Sequence, residues 1–338
     1  MNAEDIFRTP VEINESRLKA MPDDTVFSIG SCFAETMSQK LADGLMQSFS
    51  NPFGTAYNPI TIDKQILRIV NLERCSADEI VGSEGRYLSF KAHSKLWADT
   101  PEELADAIDR QTAEANRQLS KAKLIVITYG TAWVYALCSS GSVVANCHKL
   151  PADKFTRRRL TADEITATVL STVGQIRRVN ANARIVFTVS PIRHLKDTAH
   201  GNQLSKAELL LGIDSALSSA EGTEYFPAYE IQMDELRDYR FYAADMLHPS
   251  EVAADYIFDR FAQTYLTNEA RQLIAEGRKI TSALQHRPMG TETQYLQFID
   301  STIGRIDRIR AKYDKNLTNN CMSGVYERLS TIRQNKKK

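Results

Sequence analysis

Three short apolar runs limit what this chain can fold into. "TVFSIG" (25–30), "KLIVITYG" (123–130) and "ARIVFTVSP" (183–191) are rich in β-branched residues, and each stops at a turn-forming residue. Runs of that length without polar alternation are expected of strands covered on both faces. After the first, Phe33, Met37, Leu41 and Leu45 recur every four residues, the stripe of a helix buried along one side. Between the second and third lies "TADEITATVLSTVGQIRRV" (161–179), where Thr161 and Glu164 form a capping-box pattern ahead of Ile165, Val169 and Ile176. A helix joining two buried strands is the crossover of a parallel pair. Further on, "LSKAELLLGIDSALSS" (204–219) reads as a helix and "TEYFPAYEI" (223–231) as a short strand and turn. "SEVAADYIFDRFAQTYL" (250–266) reads as a helix capped by Ser250. "VYALCSSGSVVAN" (134–146) instead suggests a hairpin decorating the sheet. The order predicts an α/β fold, a three-layer α/β/α sandwich with a mostly parallel sheet.

With 338 residues, 43% of them hydrophobic, the chain can bury a substantial core. The α/β pattern occupies residues 20–267. From 268 to 338 the sequence turns to long polar helices, expected as a helical C-terminal extension packed on the domain or on a second subunit. The closing "RQNKKK" reads as a solvated basic tail.

Forty-two basic residues balance forty-two acidic ones, so no global field favours nucleic acid or an anionic membrane surface. The N-terminus lacks a basic segment followed by an apolar run, and no stretch approaches 18 uninterrupted apolar residues. The expectation is a cytoplasmic protein without nucleic-acid or membrane partners. Five scattered cysteines (32, 75, 138, 147, 321) without a C-x-x-C spacing argue against a disulfide framework and a structural zinc site. No metal or organic cofactor is expected.

In an open parallel sheet, ligands bind at the carboxyl ends of the strands. Gly30, Gly130 and Ser190-Pro191 lie at such ends. Gly30 is followed by two potential nucleophiles, Ser31 and Cys32, at the N-terminus of a helix, where unpaired N–H groups favour a thiolate or a developing oxyanion. A nucleophile needs a base, and of six histidines His248 has the most informative setting. Asp245 stands three residues before it, and Pro249 and a helix cap follow. That spacing lets the carboxylate hold Nδ1–H and leaves Nε2 to take a proton. Arg193, His194 and Lys196 follow the third strand and could hold a substrate carboxylate or phosphate. Cys147 and His148 are adjacent, which in an extended segment turns their side chains apart and argues against a shared metal. "RRR" at 157–159 reads as a solvated charge run.

The blocks "FSIGSCFAETM", "NPFGTAYNP", "TYGTAWVY", "VANCHKLPADKF", "TVSPIRHLKD", "YFPAYEI" and "DELRDYRFYAADMLHPS" together closely resemble the GSCFA family over about residues 20 to 265. That family is similar in turn to the SGNH (GDSL-type) hydrolases, and the resemblance implies a flavodoxin-like fold and acyl-ester chemistry. Laid on the Gly-Asp-Ser block without gaps, Gly30-Ser31-Cys32 puts Cys32 at the nucleophile position; a one-residue shift restores Ser31. The second block's oxyanion glycine is most similar to Gly54. The third block, Gly-x-Asn, falls on Gly130-Thr131-Ala132, so its asparagine donor is missing and Asn51, Asn58, Thr131 or the Trp133 indole would have to replace it. The last block matches Asp245 and His248.

The resemblance implies an acyl-ester hydrolase or acyltransferase acting on a small-molecule or carbohydrate ester, such as an O-acylated carbohydrate or cell-wall precursor. Two alternatives stay open. One is a degenerate hydrolase kept as a small-molecule or carbohydrate-binding module; the other is a thiol redox sensor centred on Cys32. A homo-oligomer built through the C-terminal helices is a further expectation.

Overall fold

The computed structural model describes residues 9–285, 291–313 and 330–331. Its strands are β1 (Thr25–Gly30), β2 (Gln47–Ser50), β3 (Ile80–Ser83), β4 (Arg86–Ser89), β5 (Trp97–Ala98), β6 (Leu124–Tyr129), β7 (Trp133–Leu137), β8 (Val143–Val144), β9 (Phe155–Arg159), β10 (Arg184–Val189) and β11 (Thr223–Phe226). Its helices are α1 (Cys32–Asp43), α2 (Pro59–Asn71), α3 (Pro101–Lys121), α4 (Ala162–Val179), α5 (Thr198–Leu217), the short α6 (Ala228–Glu230), α7 (Glu251–Tyr265), α8 (Asn268–Gln285) and α9 (Glu292–Lys312).

The central sheet runs β11-β10-β6-β1-β2 with every pairing parallel. Each of the three apolar runs supplies one of its inner strands, and alternate residues feed two cores. Val26, Leu124, Val126 and Val186 face one side with α1, α7, α8 and α9. Phe27, Ile29, Ile125, Ile127, Ile185 and Phe187 face the other with α2 to α5. Removing such side chains from water on both faces is worth about 1.5–3 kcal/mol each, so the runs have no exposed conformation to compete with. The result is the expected three-layer α/β/α sandwich, with the flavodoxin-like strand order.

The caps form as the sequence requires. Thr161 and Glu164 make a reciprocal capping box at α4, and Ser250 caps α7. α5 begins six residues earlier than its apolar pattern, at Thr198 rather than 204. The hairpin expected around "SSG" is β7 and β8, and β9 joins it in a separate antiparallel sheet, β8-β7-β9, beside the cleft described below.

The C-terminal helices pack on the domain. Ala270, Leu273 and Ile274 of α8, with Ile299, Ile303 and Ile306 of α9, join the core that α1 and α7 also bury. α8 crosses α1 at two glycines so closely that a Cβ on Gly277 would stand 2.7 Å from the Gly44 backbone, and Thr281 Oγ1 donates to the Asp43 carbonyl. The "RQNKKK" tail, His286 and Cys321 lie outside the described residues. Among the described residues, no helix is long and apolar enough to cross a membrane.

Candidate active site

The reversal of strand order between β1 and β6 leaves a crevice at their carboxyl ends, where parallel α/β sheets bind ligands. Gly30 closes β1 with φ 141°, and a Cβ there would stand 2.1 Å from the Thr128 carbonyl oxygen of β6. Only glycine fits. The Gly30 N–H donates to Asn51 Oδ1 (2.8 Å) and the Ser31 N–H to the Thr128 carbonyl (3.1 Å), which fixes the turn from both sides.

Ser31 and Cys32 hold different positions on this turn. Ser31 is the N-cap of α1; its hydroxyl accepts the Phe33 N–H and the residue is 2% exposed. Cys32 is the first residue of the helix, half-buried, with its Sγ 3.3 Å from Tyr57 Oη. Burial, and then the bond to Cys32, pushes the Tyr57 phenol up to about 12. It therefore stays protonated and able to donate to a thiolate.

Asp245 and His248 form a closed unit in the loop before α7. Asp245 Oδ1 accepts the backbone N–H groups of Leu247 (2.9 Å) and His248 (3.0 Å), while Oδ2 takes His248 Nδ1 at 2.6 Å. The backbone N–H of His248, then that of Leu247, then the imidazole hold the carboxyl down to about 2. With Nδ1 bound to a carboxylate, Nε2 is the nitrogen left to accept a proton. His248, Cys32 and Ser31 all line one cleft of about 730 Å³.

The other expected residues divide. Gly130 and Thr131 follow the end of β6, and Trp133 opens β7. The amides of Gly130 and Thr131 both donate to the Tyr57 carbonyl (2.7 and 2.9 Å), so neither is free to hold an oxyanion. Thr131 Oγ1 pairs with Ser205 Oγ at 3.0 Å. Thr131, Trp133, Asn58, Arg193 and His194 line the cleft; Gly54 and Asn51 do not. Gly54 donates its amide to the Asn51 carbonyl and turns its Cα toward His93, so its N–H is not available as an oxyanion donor. Asn51 clamps the Gly30 turn through its side chain. Asn58 caps α2 through Oδ1. Cys147 lines the cleft, whereas His148 turns inward, with Nε2 2.8 Å from the Ser89 carbonyl.

Three residues that matter here fall outside the sequence expectations. Arg157, read as part of a solvated run, lies over the Trp133 ring with Cζ 4.1 Å from its centroid and pairs with Asp197 in the cleft wall. It remains exposed, as the charge run implies, but lies over the Trp133 and Tyr135 rings at the cleft, which the run conceals. Tyr57 sits inside "NPFGTAYNP" with no pattern to distinguish it. Lys206 had a signal: it stands three and seven residues before Leu209 and Ile213, on the buried stripe of α5.

Lys206 is 1% exposed, and its Nζ donates to the carbonyls of Gly130 (2.9 Å) and Ser190 (2.6 Å), tying together the ends of β6 and β10 under the cleft floor. Burial, helped by the Arg193 charge, lowers its ammonium from 10.5 to about 7. Between about pH 7 and 10 the unfolded chain thus holds more protons than the native one, and stability rises with pH, by up to about 1.4 kcal/mol per unit. Urea unfolding at pH 7, 8 and 9 is expected to show this rise in the wild type and a flatter profile in Lys206→Met; parallel profiles would contradict it. Next to it, burial and then the Lys206 charge push His194 down to about 4, leaving a neutral imidazole. Trp133 Nε1, Arg193 Nε and His194 Nε2 are buried without hydrogen-bond partners; such atoms cost about 1–3 kcal/mol each when left so.

These features define the class as a flavodoxin-like α/β/α fold with a cleft at the switch point of its sheet, lined by Ser31, Cys32 and His248. It belongs to the GSCFA family, whose model matches residues 25–261. No curated protein matches the sequence. Among solved structures, it is similar to an acetyl xylan esterase from the rumen bacterium Butyrivibrio proteoclasticus (13% identity, TM-score 0.35), over 76% of this chain and 64% of that one. It is also similar to a family 3 carbohydrate esterase from Clostridium thermocellum (12% identity, TM-score 0.33), over 75% of this chain and 99% of that one. The chain thus spans less than two thirds of the first.

Proposed function

We propose that this protein is an SGNH-like acyl-ester hydrolase or acyltransferase, with Cys32 as nucleophile, His248 as base and Asp245 as its orienting partner. The observation that carries the reading is the shared cleft: Asp245 holds His248 by Nδ1, and the imidazole lines the same cavity as the half-buried thiol. His248 Nε2 takes the thiol proton, the thiolate adds to the ester carbonyl, and collapse expels the alcohol, to which His248 returns the proton. Water, or a second hydroxyl in the transfer reaction, then cleaves the thioester with His248 again as base. Tyr57 donates to the thiolate before attack.

The oxyanion needs two donors. The Cys32 backbone N–H is one, since first-turn amides have no partner inside a helix. With Ala132 in place of an asparagine and Gly54 engaged elsewhere, the Asn58 side-chain amide in the cleft wall is the second; its oxygen caps α2 and keeps the group fixed.

Incubation with p-nitrophenyl acetate tests the reading. Nitrophenolate release together with an acetyl thioester on the Cys32 peptide, read by mass spectrometry after acid quench, is the expected result. No turnover, with neither a thiol-directed nor a serine-directed probe labelling the turn, would overturn it in favour of a binding module.

A further inference from the structure

We propose that the cleft selects an ester whose acyl or alcohol part carries a negative charge, a carboxylate or a phosphate, held at the wall formed by Trp133, Arg193 and His194. The proposal rests on the same cleft as the esterase reading and adds the charge of the substrate to it.

The cleft is lined by three cations, Arg157, Arg193 and Lys196, against a single carboxylate, Asp197. That carboxylate is already neutralised by Arg157. Lys196 reaches the Tyr135 hydroxyl at 2.6 Å, a neutral partner. Arg193 has no carboxylate partner among the described residues, and its Nε is buried without an acceptor. The carboxylate of Asp245 is already engaged by the backbone N–H groups of Leu247 and His248 and by the His248 imidazole. Beneath the floor Lys206 adds a fourth basic nitrogen, hydrogen-bonded to the Gly130 and Ser190 carbonyls. A buried guanidinium donor without an acceptor is a costly arrangement for stability alone. An anion against Arg193 supplies an acceptor to the Trp133 and Arg193 donors, with the planar guanidinium suited to a carboxylate or phosphate. The neutral His194 imidazole beside it adds a hydrogen-bonding group of no charge.

Because Cys32 opens into this cleft, its own alkylation reports the field there without any need for turnover. The full chain is treated with iodoacetate, which is anionic, and iodoacetamide, its neutral isostere, and the rates at Cys32 and at the exposed Cys138 are followed by peptide mass spectrometry. Expected is an iodoacetate-to-iodoacetamide rate ratio at Cys32 at least tenfold above that at Cys138, falling at least threefold in 0.5 M salt and at least fivefold in Arg193→Gln. A ratio at Cys32 equal to or below that at Cys138 overturns the proposal, and needs no variant to be read. The two readings fail separately. Anion preference at Cys32 without cleavage of p-nitrophenyl acetate sinks the esterase and keeps the anion site; cleavage without charge preference does the reverse. If the preference is present, p-nitrophenyl hemisuccinate and p-nitrophenyl phosphate as competitors of alkylation distinguish a carboxylate from a phosphate occupant.

Discussion

Cys32→Ala lowers kcat/KM for p-nitrophenyl acetate by on the order of 10³-fold or more, whereas Ser31→Ala keeps it within about tenfold and instead costs about 1 kcal/mol of stability. The two side chains are neighbours on one turn, but the fold gives them separate work. Ser31 Oγ accepts the Phe33 N–H and secures the first turn of α1. Cys32 begins the helix with its sulfur toward Tyr57 and the cleft. A thiolate there meets the positive end of α1 and a phenol that burial keeps protonated. Steady-state rates and urea unfolding of the two variants separate the roles; loss of turnover in Ser31→Ala with retention in Cys32→Ala would make the serine the nucleophile.

Asp245→Asn is the second large effect, a fall in kcat of on the order of 10²–10⁴-fold with the fold intact. An asparagine can still accept the two backbone N–H groups, so the loop survives, but its side chain no longer enforces Nδ1–H and Nε2 ceases to be the reliable proton acceptor. The pH dependence carries the same mark. The folded carboxyl is depressed to about 2, so its contribution to stability is present above its unfolded range near 4 and is lost only as pH falls through about 2. Asp245 therefore stays ionised throughout the range above pH 4, and a carboxyl proton taken up by the folded wild type near pH 4 but not by Asp245→Asn, read by NMR titration, would contradict the assignment.

The layered fold was legible because three runs of β-branched residues admit only strands with both faces covered, and because Thr161 and Ser250 mark helix starts chemically. The geometry of the candidate site was legible in outline for a similar reason: Gly30 has no alternative at its φ, and Asp245 and His248 are three residues apart in one turn. What the sequence could not supply is whatever depends on the direction of a hydrogen bond across the fold. Gly54 matched a block glycine, yet its amide closes a local turn onto Asn51. Gly130 and Thr131 sit at the expected strand end, yet both donate to Tyr57, 73 and 74 residues earlier in the chain. Arg157 looked solvated, and a run of three arginines does not show which of them lies over the Trp133 and Tyr135 rings. Lys206 was visible as a charge on an apolar stripe, but its meaning lay in two carbonyls from different strands.

The crossing of α8 over α1 bears on what counts as one unit here. The family match stops at residue 261, whereas the layer packed on α1 continues through the glycine contact at Gly277, and its core through the isoleucines of α9. A chain cut where the match stops would keep the groups of the candidate site and remove the residues that pack on Gly44 and Leu45 at the end of α1. The stretch that the family matches and the layer packed on α1 differ in length, and the helix that begins at Cys32 ends against the longer of the two.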